Sequence, residues 1–320
     1  MLKKFLSITA VFLLFISISY AVSKESPDQQ KTKKGIKVNY VIIGEGMPII
    51  MLHGFGMDHR QMKGCMEPIF KERKGWKRVY IDLPGMGKTE GREWIKNSDK
   101  MLQIVSSFIR STFPDDHYIL AGHSYGGYLA RALVQENPEK IDGLLLIAPV
   151  TIPDSAKRNL PKQHVVIQNP KLLSGLKTEE SRYFKSLAVI QSKRVRERFK
   201  EEILPGIRAA DLDFLIQLRG LGYSFSYDLN KVYTVFNEPT LILTGRWDHL
   251  VGYKDAFDIL DSFPESTFAV LHNAGPLLQI EQEGMFNCLV KAWLDEIESE
   301  WEEPVIEKKE KVDYVIDEDK

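Results

Sequence analysis

The chain has 320 residues, 43% of them hydrophobic and 27% charged, with a formal net charge of -1. That length buries a substantial core in one large domain with an insertion, while two cysteines, Cys65 and Cys288, signal no disulfide framework and leave a single bridge open. A near-neutral balance without an aromatic-interleaved basic stripe gives no electrostatic basis for nucleic-acid binding, so the expected partner is a small molecule.

In chain order, Lys3 and Lys4 precede an apolar stretch at 5–18, and Ser19-Tyr20-Ala21 follows with small residues at both recognition positions of a signal peptidase. Residues 1–21 therefore read as an export signal. The apolar core is shorter than the ~20 residues that span a bilayer, which favours cleavage near Val22 over a retained anchor. Either outcome places the domain outside the cytoplasm, secreted or held at the membrane. Residues 22–35 mix Pro, Asp, Gln and Lys without an apolar period, as a solvated linker does.

Short apolar runs then recur at 38–43, 49–52, 78–82, 118–121, 144–148, 241–244 and 267–271. Unbroken runs of this kind suit strands buried on both faces. Helical patterns fall at 99–113, 125–136, 254–263 and 283–300, with Asn137-Pro138 and Phe263-Pro264 as stop signals. The alternation predicts an α/β fold, a mostly parallel doubly wound sheet. It breaks over 150–235, where helical spacing at 179–190 and 194–203 predicts a helical lid across one edge of the sheet. The domain would span 36–300, and the Glu-, Asp- and Lys-rich stretch 301–320 reads as a charged flexible tail.

Four motifs carry the chemistry. His53-Gly54-Phe55-Gly56 follows the second run. Asp82-Leu83-Pro84-Gly85-Met86-Gly87 follows the third, where the glycines relax the backbone and Asp82 can cap nearby amides, a scaffold role. Gly122-His123-Ser124-Tyr125-Gly126 sits between a strand and a helix, so Ser124 lies on a sharp corner with glycines two before and two after. Thr244-Gly245-Arg246-Trp247-Asp248-His249 follows the sixth run.

Over about residues 36–300 these motifs and their order resemble the α/β-hydrolase family. The resemblance implies that Ser124 is a nucleophile, that Asp248 is the acid orienting a histidine, and that the N–H groups of Phe55 and Tyr125 hold the oxyanion of a tetrahedral intermediate. A serine rather than an aspartate at the corner favours ester-type acyl transfer. Members of the family typically carry an Ala-Gly-His step after the last strand. Here Ala274-Gly275-Pro276-Leu277-Leu278-Gln279-Ile280-Glu281 keeps the surroundings and replaces the histidine with Pro276.

Three readings of that position stay open. His272, four residues earlier, is a substitute base only if the loop is remodelled. Otherwise the chain is a ligand-binding pseudoenzyme, or a variant one His-to-Pro exchange away from an active parent. His123 shapes the corner, and His249 points away. His59, His117 and His164 carry no partner pattern. No spacing for a metal site and no phosphate-cradling glycine loop occurs, so neither metal nor nucleotide cofactor is expected. Phe55, Tyr125, Phe184, Phe214, Leu215, Tyr223 and Trp247 are the expected pocket walls, suited to a small or medium apolar ester or amide.

Overall fold

A computed structural model describes residues 35–231 and 234–302. The expected export segment, the linker up to residue 34 and the tail from residue 303 lie outside the described residues. Among the described residues, no helix is long and apolar enough to cross a membrane.

Seven strands form one sheet: β1 (Tyr40–Ile43), β2 (Met47–Leu52), β3 (Trp76–Ile81), β4 (Tyr118–His123), β5 (Ile141–Ile147), β6 (Thr240–Gly245) and β7 (Ser266–Leu271), in the order β1-β3-β2-β4-β5-β6-β7. Only β1 runs antiparallel, pairing Tyr40 with Ile81. Each expected run is a strand. β4 and β6 are buried at every position, as unbroken apolar runs require when both faces are covered.

Helix α1 (His59–Phe70) connects β2 to β3 in one direction along the sheet, and α2 (Ser98–Thr112) connects β3 to β4 in the other. Right-handed crossovers in opposite directions place these helices on opposite faces. α3 (Tyr125–Glu136) joins α2 on its face, and the C-terminal helix, running Glu283–Glu302, joins α1. The reversal at β2 and β4 opens a crevice at the C-terminal strand ends, the usual ligand position in such sheets.

Between β5 and β6 lie α4 (Pro170–Ser174), α5 (Thr178–Leu187), α6 (Lys193–Arg198), α7 (Leu204–Ala209) and α8 (Leu212–Leu221). α6 runs into α7 through a π-turn at Phe199–Ile203, just before Pro205, whose missing N–H cannot continue an α-helical ladder. This segment has its own core: Phe184, Val189, Val195, Phe199 and Ile203 pack with Leu277 and Ile280. Several ties fasten it to the rest of the fold, among them the following. Glu281 accepts the N–H groups of Val189 and Ile190 at 2.6 and 3.1 Å. Asp211 N–H donates to the Gly85 carbonyl at 2.9 Å, and Ser98 N–H to that of Gly222 at 2.8 Å.

Three elements depart from the sequence reading. The expected helix at 254–263 is α9 (Lys254–Phe257) followed by a 3-10 turn at Leu260–Ser262. Asp258 and Ile259 hold ψ at -8 and -2, loosening the α-helical ladder. Helix α1 was not expected, and α8 lies inside the helical segment expected over 150–235 but had no position assigned within it. Each starts at an aspartate cap: Asp58 accepts Arg60 N–H and Asp211 accepts Phe214 N–H. The short α10 (Leu278–Glu281) then leads into the C-terminal helix, α11.

Candidate active site

Ser124 is the residue between β4 and α3, with φ 51 and ψ -110. A non-glycine residue at positive φ costs on the order of 1–3 kcal/mol and persists only where its surroundings fix it. Here Ser124 N–H donates to the Ile147 carbonyl at 2.9 Å, and its own carbonyl accepts from Tyr128 at 3.1 Å and Val150 at 3.0 Å. A Cβ at Gly122 would lie 2.5 Å from the Gly126 carbonyl oxygen, and one at Gly126 would lie 2.2 Å from that of Leu52. Backbone occupies both places, so only glycine fits on either side of the corner. Half-buried Ser124 borders a cavity of about 390 Å³.

The loop after β2 lies against this corner. A Cβ at Gly54 would come within 3.5 Å of Ser124 Cβ. His53 accepts Leu83 N–H at Nε2 over 3.0 Å, which leaves Nδ1–H to donate to the Gly54 carbonyl at 2.8 Å. Gln61 accepts Gly54 N–H at 2.8 Å and donates to His123 Nδ1 at 3.3 Å. His123 Nε2–H in turn donates to the Pro276 carbonyl at 3.2 Å. Burial pushes the His123 pKa down to about 4, against the raising effect of that carbonyl. The ring is neutral with both nitrogens engaged, so it has no lone pair to take a proton from Ser124. The N–H groups of Phe55 and Tyr125 have no backbone acceptor among the described residues.

Asp248 follows β6 and is 1% exposed. Its Oδ1 accepts Leu250 N–H at 2.9 Å and Val251 N–H at 3.0 Å, whereas Oδ2 has no partner among the described residues. Burial raises its pKa, opposed by the backbone N–H groups of Val251, Leu250 and Gly252 and by nearby His249. The loops after β6 and β7 press together: Trp247 N–H donates to the Ala274 carbonyl at 2.8 Å, and a Cβ at Gly245 would lie 2.5 Å from the Gly275 oxygen. Asp248, Pro276 and Ser124 thereby share the walls of one cavity. Glu281 stabilises this arrangement, its second oxygen accepting Gly275 N–H at 2.7 Å. Burial lifts its pKa to about 7 despite the N–H groups it accepts.

His272 is exposed and does not line the cavity, so the structure does not bring it together with Ser124. His249 turns its Nε2 to the Ser186 carbonyl at 2.9 Å. His59 pairs with Asp82 and His117 with Asp142, each at 2.8 Å. Asp82 also accepts Asn39 and the N–H groups of His59 and Lys88; burial pulls its pKa up, but the His59 ring and the His59 and Lys88 N–H groups hold its carboxyl below the usual range. Asp58, His59 and Asp82 lie close together, but Asp58 is bound to Arg60 and Asp82 to the donors just named. Cys65 is buried and Cys288 exposed, both as free thiols.

Of the expected pocket walls, Phe55 and Leu215 line the cavity and the other five do not. The Tyr125 ring is buried, with its hydroxyl on Ser98 Oγ at 2.7 Å and its face on Tyr223. Phe184 belongs to the core of the inserted helices. Phe214 fills the space over Gly85, 2.1 Å from where a Cβ would stand. Tyr223 borders a second, more polar cavity, and Trp247 packs against His164 with the rings tilted by 44°. Packing consumes these rings because each is large enough to bridge the inserted helices and the sheet layer.

The serine aminopeptidase S33 family matches residues 47–279. The chain belongs to the α/β-hydrolase family. This α/β-hydrolase is 25% identical over 273 residues to the AB hydrolase superfamily protein YisY of Bacillus subtilis, covering 81% of this chain and 96% of that one. It is 23% identical over 255 residues to a pimeloyl-[acyl-carrier protein] methyl ester esterase of Legionella pneumophila, covering 78% and 96%. An α/β superfamily hydrolase from Oenococcus oeni superimposes with a TM-score of 0.75 at 30% identity, covering 82% of this chain and 96% of that chain.

Several lining residues of the hydrolase went unseen in the sequence. Gln61 sits on α1, and the Asp58 cap was the signal for that helix. Ala148, at φ 42, lines the cavity beside Ser124 with no marker in the sequence. On α8, Leu212, Leu215, Ile216 and Arg219 form one stripe toward the cavity at helical spacing.

Proposed function

We propose that this chain is a serine hydrolase acting on small or medium ester- or amide-type substrates through an acyl-enzyme, with turnover impaired by Pro276. The observation that carries the reading is Ser124 held at positive φ in a cavity it shares with Asp248. Ser124 Oγ attacks the carbonyl carbon, and charge developing on the carbonyl oxygen meets the N–H groups of Phe55 and Tyr125. Met57, Leu187, Ile207, Leu215 and Val251 give the acyl part an apolar wall. The esterase and hydrolase names of the relatives agree with this chemistry.

The proton of Ser124 is the difficulty. Pro276 has no titratable group, His123 is spent on Gln61 and the Pro276 carbonyl, and His272 is exposed. Loss of the histidine base lowers turnover about a millionfold in a studied serine protease, leaving oxyanion-hole and binding contributions. Slow acylation with solvent as proton acceptor follows. The same absence favours a second reading, a ligand-binding pseudoenzyme that uses the cavity without turnover. Export through residues 1–21 is part of the proposal and rests on Lys3, Lys4 and the apolar run behind them.

A fluorophosphonate probe separates the two. The hydrolase reading expects slow labelling of the wild type, none of Ser124→Ala, and fast labelling of Pro276→His. No labelling of either folded wild type or folded Pro276→His at long times would leave the pseudoenzyme.

A further inference from the structure

Asp248 is a buried carboxylate with one oxygen saturated and the other bare among the described residues. Oδ1 takes two backbone N–H groups, Oδ2 takes none, and the residue borders a cavity large enough for a small ester and a ring beside it. A buried acceptor left without a donor is unfavourable, so a ligand that brings an N–H to that place recovers a charge-assisted hydrogen bond. Next to it stands Pro276, which offers the cavity neither donor nor acceptor from its side chain.

We infer that the cavity takes a small nitrogen base from outside the chain, an imidazole or an amine, whose N–H is accepted by Asp248 Oδ2 beside Pro276. The base is carried by the substrate or arrives free in solution. Its catalytic consequence rests on the serine hydrolase reading; its binding does not. For an imidazole, one nitrogen donates its N–H to Asp248 and the other takes the Ser124 Oγ proton. As Oγ bonds to the carbonyl carbon, the carbonyl π pair moves to oxygen. Collapse of this intermediate re-forms the carbonyl and breaks the bond to the leaving group, which takes the proton from the imidazolium. Water then attacks the acyl-enzyme, giving a proton to the same base, and Ser124 recovers it on release of the acid.

The test uses wild-type protein and imidazole itself, with p-nitrophenyl butyrate as ester and Ser124→Ala subtracted to remove hydrolysis by imidazole in bulk. Imidazole is expected to bind saturably by calorimetry and to accelerate turnover at least about tenfold. N-methylimidazole, equally a base but without an N–H, is expected to do neither. D248N keeps an acceptor for Leu250 and Val251 and is expected to remain folded while losing saturable binding and rescue. An ester bearing an imidazole, compared with its phenyl analogue, tests the second source. Turnover of that ester without added imidazole identifies the substrate as carrier, and rescue by free imidazole alone identifies the solution. Equal effects of imidazole and N-methylimidazole, no binding at all, or no response to D248N would overturn the inference. If Pro276→His hydrolyses esters while imidazole neither binds nor rescues, only this inference falls. If imidazole binds through Asp248 but neither intervention yields turnover, the nitrogen site stands and the hydrolase reading falls.

Discussion

Pro276→His is the substitution on which the catalytic argument turns. Residue 276 contributes one hydrogen bond to the fold, through its carbonyl to His123, and a proline has no N–H to lose. The exchange therefore removes no hydrogen bond. Its folding cost is the regained freedom of the unfolded chain, about 0.4–1 kcal/mol, which is small beside the 5–15 kcal/mol that holds an ordinary domain together. The catalytic gain is larger. A positioned general base contributes about 10²–10⁴-fold, or about 2.7–5.4 kcal/mol of barrier at 1.36 kcal/mol per decade. The assay is kcat for p-nitrophenyl butyrate between pH 5 and 9, with circular dichroism to confirm folding. A rise of at least about a hundredfold is expected, with an acid limb near the ordinary histidine pKa of about 6.5 that the wild type lacks. D248N in the same background is expected to remove most of the gain. An unchanged kcat in a folded Pro276→His protein would refute the placement of the base opposite Ser124 and Asp248.

Ser124→Gly removes the nucleophile and the positive-φ strain together. Turnover is expected to vanish while stability to urea rises by about 1 kcal/mol, net of the entropy glycine costs; a loss of stability would show that the corner is unstrained. Gly126→Ala puts a methyl group 2.2 Å from the Leu52 carbonyl oxygen, and a destabilisation of about 3 kcal/mol or more is expected because backbone opposes it. Glu281 carries a folded pKa of about 7 against an ordinary 4.5. Its contribution to stability is present below pH 4.5 and is lost as pH rises through 7, since the folded state holds the proton longer. Glu281→Gln is expected to flatten that fall in urea melts taken across the window. Native protein should titrate one thiol with Ellman's reagent, Cys288, and denatured protein two; reduction should leave Tm unchanged.

Strands were legible because the sheet interior is written as unbroken apolar runs, such as Ile119 to Ala121 and Leu241 to Leu243, with little else competing. Helix α1 was harder to read. Its buried positions Met62, Cys65, Met66, Ile69 and Phe70 keep helical spacing, but Gly64 and Pro68 interrupt the propensity. Gly64 is explained only by a distant partner, since Glu202 occupies the space a Cβ would fill. Ser124, Asp248 and the odd residue at 276 were visible as local motifs. The chain from Gly54 through Gln61 and His123 to Pro276 was not, because it joins three segments through single hydrogen bonds. Pocket walls were the least legible part. Aromatic identity does not say which side of α8 a ring takes, and Phe214 turns to Gly85 while its neighbour Leu215 turns to the cavity. Glu281 stood out as an acidic residue in the final motif, yet its acceptors' partners lie some 90 positions upstream.

The ties that fasten the inserted helices bear on how a molecule reaches Ser124. With Val189 moored to the Glu281 carboxylate and Asp211 and Gly222 moored by backbone hydrogen bonds, the covering segment has no long unanchored stretch on which to swing between α5 and α8. Passage then depends on the rotamers of Leu212, Ile216 and Leu250, which stand 57%, 70% and 41% exposed at the rim. Such side chains reorient in picoseconds to nanoseconds, whereas hinged covers open in microseconds to milliseconds. A frame anchored in this way leaves side-chain reorientation at the rim as the motion expected to govern entry.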